Sequence, residues 1–400
     1  MRQVAGPVSA TRSARRTLVL LAPITFLAAG GWATTMSFLS SFAATEFDVG
    51  ILSAALIMIA VHGGSFTMGG ALALQVINRW GSKVSYVAGM GLMAAYLAFL
   101  GLTQNLILGI PLGLIGGLGL AMHWTGLQNY ILEIAPPQHR GLVAGTVSFL
   151  LFGSIGVTGL VLGFVTGEGG FARFMAISGS MMVAAFLLSL KVLPNLGAGE
   201  GVRPPGNVFT GLRDPNLRQM SYVRSAHGAA YALFNLMAGP RLFEAGGGLE
   251  YVGLLAFAGS MAGGVAQLVV GRLSDLFGRT GLLLMLLALT ILSCISFILL
   301  DNVYLLLSVT SLHWFAQSAF QTVLVPLGGD LSPPGQSANA MALQTVAFSF
   351  GLVGGALYTG LLSATPWPEA GFVLTAALLA MVVPAAFRLR AALAGMVVRQ

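Results

Sequence analysis

Charge is the first thing this chain lacks. Only 8% of its 400 residues are charged, 19 of them Lys or Arg and 12 Asp or Glu. A soluble domain carries about a quarter of its residues as charges, so this chain cannot cover a surface that faces water. The carboxylates are also confined: each of the twelve stands in a loop or at the end of an apolar stretch. Cysteine is nearly absent. Cys294, the single one, can form no intrachain disulfide and falls inside an apolar stretch, where it is inert. No Walker-type Gly-rich phosphate loop is present, which argues against ATP-driven work. There are no paired interior carboxylates, no nucleophile beside a base, and no His, Cys and Asp at metal-ligand spacing. The sequence therefore predicts no enzyme, no metal and no cofactor.

What fills the chain is apolar: 56% hydrophobic residues and a mean hydropathy of +0.87. The solvent has to be lipid. Twelve stretches approach or exceed the roughly 20 residues a helix needs to cross a bilayer. They run over 18–44, 49–75, 84–102, 106–131, 141–165 and 171–193, then 218–240, 249–270, 281–300, 303–327, 337–362 and 370–388. Lipid offers no hydrogen-bond partner, so spanning backbone is helical or a closed barrel, and runs this long exclude short alternating strands. The sequence thus predicts an all-α membrane protein of twelve transmembrane helices in two six-helix pseudo-symmetric bundles. Its 54 glycines fit that reading, because small residues let helices approach where lipid supplies no hydrophobic drive. Gly113, Gly116, Gly117 and Gly119, and Gly145, Gly153, Gly156, Gly159 and Gly163, read as packing faces.

The net charge of +7 points to topology and not to nucleic acid. With the N-terminus inside, 16 of the 19 basic residues fall on the cytoplasmic side, and only Arg173 and Arg241 fall outside. Basic residues concentrate in cytoplasmic loops, so both termini are expected in the cytoplasm, in a bacterial inner membrane. Arg12, Arg15 and Arg16 precede a first stretch too long for a signal sequence, which is expected to stay in place. Membrane lipid and a small-molecule substrate are the expected partners, and nothing requires more than a monomer.

The chain also repeats itself. Gly271-Arg272-Leu273-Ser274-Asp275-Leu276-Phe277-Gly278-Arg279 has a degraded copy, Asn78-Arg79-Trp80-Gly81-Ser82-Lys83, 197 residues earlier. The same offset carries Pro136-Pro137 onto Pro333-Pro334 and Glu133 onto Asp330. Halved repeats of this kind build many transporters. A Pro- and Gly-rich stretch separates the copies, giving bundles over 1–193 and 218–400 joined by a cytoplasmic linker, 194–217.

In these residues the chain resembles the major facilitator superfamily, whose motif after spans two and eight reads roughly Gly-x-Leu-Ala-Asp-Arg-x-Gly-Arg-Lys. Gly271, Leu273, Asp275, Gly278 and Arg279 fill its positions, and Arg272 adds a cation. In the first copy Leu74, Asn78 and Ser82 replace the glycine, the aspartate and the first basic residue, leaving Arg79, Gly81 and Lys83. Glu133 and Arg140 resemble an acidic-to-arginine element of sugar-porter members; its repeat keeps Asp330 but has Ser337. The resemblance implies that these acids and arginines cluster to hold the halves together when the cavity faces outward. It also implies a cavity lined by spans one, four, seven and ten. The Gly-Pro element that marks antiporters in span five lacks its proline here.

Four of five histidines lie within spans: His62, His123, His227 and His313. Ionisable groups in a membrane are costly and usually face a cavity or a partner. Span seven carries Arg224, His227, Tyr231 and Asn235 on one helical face. Span four adds His123, Trp124 and Gln128, span ten His313 and Gln317, and span one Trp32 and Thr35. His123 and His227 are placed about eight residues, roughly 12 Å, from the cytoplasmic ends of their helices. His62, beside Gly63 and Gly64, is assigned to packing. The function expected is secondary transport of a small organic solute, with Arg224 able to neutralise an anionic group. The alternative is a non-transporting protein on the same scaffold that serves a membrane complex or carries a lipophilic pigment.

Overall fold

The computed structural model describes residues 19–32, 37–40, 42, 50–103, 105–134, 140–165, 170–194, 208–246, 248–331 and 337–397, and among these no strand occurs. Among the described residues the backbone forms twelve rods. Helix α1 covers 19–32, with helical residues again at 37–40. Helix α2 runs from Ile51 to Trp80, with a π-helical turn at Ser65–Gly69 inside it. Then come α3 (Ser82–Leu102), α4 (Leu106–Ile134), α5 (Arg140–Val165) and α6 (Gly170–Val192). After a 3₁₀ turn at Val208–Arg213 follow α7 (Pro215–Glu244), α8 (Leu249–Phe277), α9 (Arg279–Leu299), α10 (Val303–Leu331), α11 (Ser337–Ser363) and α12 (Ala370–Val397).

Nine of these rods are long and apolar enough to cross a membrane on length and composition. The other three are α2, which its π-turn divides, and α7 and α10, which carry the polar residues of the central cavity. A helix that faces an aqueous cleft on one side need not be apolar all round.

The ends of the rods show the duplication in atoms. The motif is mostly helix and not loop: α2 and α8 run through it, and one glycine breaks each rod, Gly81 at φ 90° and Gly278 at φ 77°. With ψ of 165° and 140°, both occupy a region that side chains with a Cβ avoid. The next turn repeats too. Asn105 Oδ1 accepts from Ile107 N (2.9 Å) to start α4, and Asn302 Oδ1 accepts from Tyr304 N (3.0 Å) to start α10. Each is an N-cap that satisfies an amide the helix leaves unpaired. Asp214 caps α7 through the Asn216 and Leu217 amides, with Pro215 at the first helical position. Helix α7 therefore begins three residues before the expected 218, and Leu212 packs with Leu217, Ala340 and Leu343.

Packing follows the same symmetry. α5 lies along α8 and α11 along α2, two contacts that exchange when the chain is advanced by six rods. Within each set of six, α3 packs on α4 and α6, and α9 on α10 and α12. One apolar core joins the first six rods to α7, α8 and α11 through Ala232, Leu236, Val252, Ala256, Leu352 and Ala356. A second core lies almost entirely among the last six rods.

Candidate functional site

Glycine brings the cavity helices together. At the α7–α11 crossing, Gly228 faces the carbonyl of Phe348, Gly351 faces that of Ser225, and a Cβ on Gly355 would lie 2.6 Å from Ala229 Cα. Ser225 Oγ donates to Ala347 O (2.9 Å) across the same crossing. That approach sets the Arg224 guanidinium 4.5 Å over the Phe348 ring, and the Phe348 ring 5.3 Å from His227 and 5.5 Å from Tyr231. In the first half, Gly89 and Gly126 let α3 and α4 touch backbone to backbone, and His123 packs 4.9 Å from the Tyr86 ring. Gly117 meets the carbonyl of Val61, which seats α4 against α2 beside His62.

Between the halves these helices wall a cavity of about 330 Å³, at the lower end of the roughly 300–1,000 Å³ of small-molecule sites. The whole polar stripe of α7 lines it: Arg224, His227, Tyr231 and Asn235. Trp32, His123, Trp124 and Gln317 line it as expected. His62, assigned to packing, is buried and also lines it; the π-turn one residue beyond Gly64 is the local irregularity that the sequence does not reveal. Two candidates are elsewhere. Gln128 is exposed one turn beyond Trp124 and off the cavity wall. His313 is fully buried, stacked on Phe234 at 3.4 Å, and also off the wall. Thr35 lies outside the described residues. Sequence reasoning missed Ser260 of α8, Phe152 of α5 and Phe348 of α11, whose helices give no polar stripe to find.

The polar core of the site is a short relay. Arg224 Nη1 donates to His227 Nδ1 (2.8 Å), which leaves the ring hydrogen on Nε2 to donate to the Gln317 carbonyl (3.2 Å). His227 is thereby held neutral in one tautomer. Arg224 Nε has no partner, and neither atom of the Gln317 carboxamide reaches full hydrogen-bond geometry with a protein group, although the carboxamide lies against His227. Both side chains are more than nine-tenths buried. His123 and His227 stand eleven and twelve residues from the ends of their helices at Ile134 and Pro215, roughly 16 to 18 Å. They are deeper than the expected 12 Å because α4 and α7 run past the apolar stretches.

The end of the molecule bearing the two motifs, the motif end, differs from the opposite, far end. At the far end the halves are close. A Cβ on Gly253 would lie 2.9 Å from Gly159 O and 3.0 Å from Gly163 Cα, and one on Gly360 would lie 2.6 Å from Ala55 Cβ. Ser40 Oγ also donates to Asn235 O (3.4 Å) there. Toward the motif end, the part of α2 beyond its π-turn has α3 and α4 of its own half as neighbours, and Leu72 and Trp80 are exposed. Ser82 Oγ donates to Glu133 Oε1 (2.6 Å), so a hydrogen bond stands where the family pattern would put a cation beside this carboxylate. Arg79 lies over the Trp80 ring at 5.1 Å and Lys83 Nζ donates to Leu190 O (3.3 Å). The side chains of Asn78, Arg140, Arg272, Asp275 and Asp330 lie outside the described ones. Among the described residues, Arg241 pairs with Glu244 and with Asp301 at the far end.

The sequence profile of the Major Facilitator Superfamily matches this chain twice, over residues 21–224 and 220–395. The chain belongs to that superfamily. No curated protein matches its sequence significantly. Among solved structures, this superfamily member is similar to a mutant of the nucleoside transporter NupG, with a TM-score of 0.77 at 15% identity over 94% of this chain and 99% of that one. It is also similar to a mutant of the peptide transporter POT in complex with sulfate, with a TM-score of 0.74 at 14% identity over 94% and 95% of the two chains. At such identities the likeness is one of fold.

Proposed function

We propose that this superfamily member is a secondary transporter that moves a small organic anion by alternating access around the Arg224 cavity. The carrying observation is the buried Arg224 on the cavity wall, in a chain whose carboxylates all stand in loops or at helix ends. A desolvated cation without a counter-ion is costly, and an anionic solute removes that cost on binding. The bundles 1–193 and 218–400 move against one another about the linker 194–217, as inverted and parallel repeats do in transporters. If the basic loops face the cytoplasm, the packed far end and the looser motif end correspond to an inward-facing state. Arg79, Lys83, Glu133, Arg140, Arg272, Asp275, Arg279 and Asp330 form the gate that closes when that face shuts, with Gly81 and Gly278 as its pivots.

The test is uptake into proteoliposomes of organic anions, neutral solutes and cations by wild type and by Arg224→Gln. Hydrogen bonds to charged groups contribute about 1.5–3 kcal/mol, so anion uptake should fall about 10- to 150-fold. Undiminished anion uptake by the variant would sink the site. Absence of uptake for every class, together with a stable co-purifying membrane complex, would favour the non-transporting reading instead.

A further inference from the structure

We infer that the solute is an aromatic monocarboxylate, bound with its carboxylate at Arg224 and Gln317 and its ring among Tyr231, Trp314 and Phe348. The inference rests on the anion-site reading above and narrows it.

Charge fixes the valence. Among the described residues Arg224 is the sole Lys or Arg on the cavity wall, and no Asp or Glu of the chain stands within a span. One negative charge neutralises it. A dianion would leave one charge unpaired in a medium of low dielectric, and a zwitterion would bring an ammonium with no carboxylate to meet it. An organic cation would be repelled.

Hydrogen bonding fixes the headgroup. His227 occupies Nη1 of Arg224, and Nε, which has no acceptor, lies on the other edge of the guanidinium. That edge is the fork that takes both oxygens of a carboxylate. Gln317 is 2% exposed, its carboxamide lies against His227 with neither atom at full hydrogen-bond geometry, and its backbone is tied to α7 by His227. A buried amide left unmade is destabilising, and Gln317 supplies an N–H₂ donor on the same cavity wall as Arg224.

The rings fix the rest of the molecule. Tyr231 meets Trp314 edge-on at 5.2 Å and Phe348 at 5.5 Å. Three of the chain's five tryptophans, Trp32, Trp124 and Trp314, line this one cavity. Aromatic pairs favour such edge and offset geometries at about 4.5–7 Å, beyond what burial alone contributes. A planar ring uses those faces; a saturated ring of the same size does not.

The test is calorimetric titration of the purified full-length protein with benzoate, benzamide, cyclohexanecarboxylate and phthalate. Benzoate should bind at least tenfold more tightly than neutral benzamide or dianionic phthalate, and about threefold or more above cyclohexanecarboxylate. In Arg224→Gln, benzoate should weaken to the level of benzamide while benzamide is unchanged, which shows an intact cavity. If that variant does not fold, Arg224→Lys keeps the cation and loses the fork; it should retain only part of the preference for benzoate over benzamide. Equal affinity for benzoate and any of the other three, or no binding of benzoate, would overturn the inference. Should cyclohexanecarboxylate or phthalate bind best, with binding lost in Arg224→Gln, the anion site stands and the aromatic monoacid falls. Tight benzoate binding that ignores Arg224→Gln removes both.

Discussion

Gly253→Val should push the carrier out of the state described here. Gly253 lies where α8 meets α5 at the far end, and a Cβ there would sit 2.9 Å from Gly159 O, 3.0 Å from Gly163 Cα and 3.4 Å from Leu160 O. All three are backbone atoms, which cannot rotate aside as a side chain can. Valine adds two further methyls, so α8 and α5 have to separate. Overpacking of this kind costs about 1–3 kcal/mol, and the cost falls only on the state in which the far end is closed. The population open at the far end should therefore rise about 5- to 150-fold. Ala238 lines the cavity at the far-end side of Arg224, so Ala238→Cys in a Cys294→Ser background reports the opening. The assay is the rate of labelling by an impermeant maleimide applied from the far side. Gly360→Val, whose nearest neighbours are Ala55 Cβ and Leu52, should act in the same direction. A labelling rate in Gly253→Val no higher than in its parent would refute the claim that this contact closes the far end.

Asn105→Ala and Asn302→Ala each remove an N-cap and should cost about 1 kcal/mol, read as similar falls in unfolding midpoint that add in the double variant. Unequal effects would break the equivalence of the two turns. Gly81→Ala and Gly278→Ala place a Cβ on backbone at positive φ and should cost about 1–3 kcal/mol each; thermal unfolding at wild-type temperature would contradict the backbone assigned. Arg241→Ala, which breaks the partly exposed pairs with Glu244 and Asp301, should change stability by no more than about 1 kcal/mol, and a larger fall in midpoint would show that the far-end network is structural.

Much of the fold is legible in the sequence because lipid constrains it hard. Most apolar stretches begin and end within about five residues of the rods, α8 and α12 running further past theirs, and the ends that matter carry their own signals: Asp214-Pro215 before α7, Asn105 and Asn302 before α4 and α10, and the glycines that stop α2 and α8. The stripe on α7 reads well for the same reason, since four polar groups on one face need a cavity or a partner. Gln128 and His313 were less legible. Each shares a helix with cavity residues, but periodicity gives a face only to within a residue or so. His313 is turned to stack on Phe234, and Gln128 is exposed. Phe348 and Ser260 could not be found at all, because their place on the wall comes from the glycine crossings of α11 on α7 and of α8 on its neighbours, which are contacts between distant segments.

The wide turn in α2 has no counterpart in α8. From its first residue to its breaking glycine, α2 spends one residue more than α8, Ile51 to Gly81 against Leu249 to Gly278. A π-turn is how a helix absorbs one inserted residue without fraying. Beyond Gly81 the two copies keep the 197-residue step, but ahead of the turn they are one residue out of phase, and each residue of phase swings a side chain by about 100°. His62 therefore answers to Ser260, not to Gly259, and both His62 and Ser260 line the cavity. The one-residue difference pairs an imidazole with a hydroxyl across the repeat, so the cleft is chemically lopsided even though the scaffold around it is twofold.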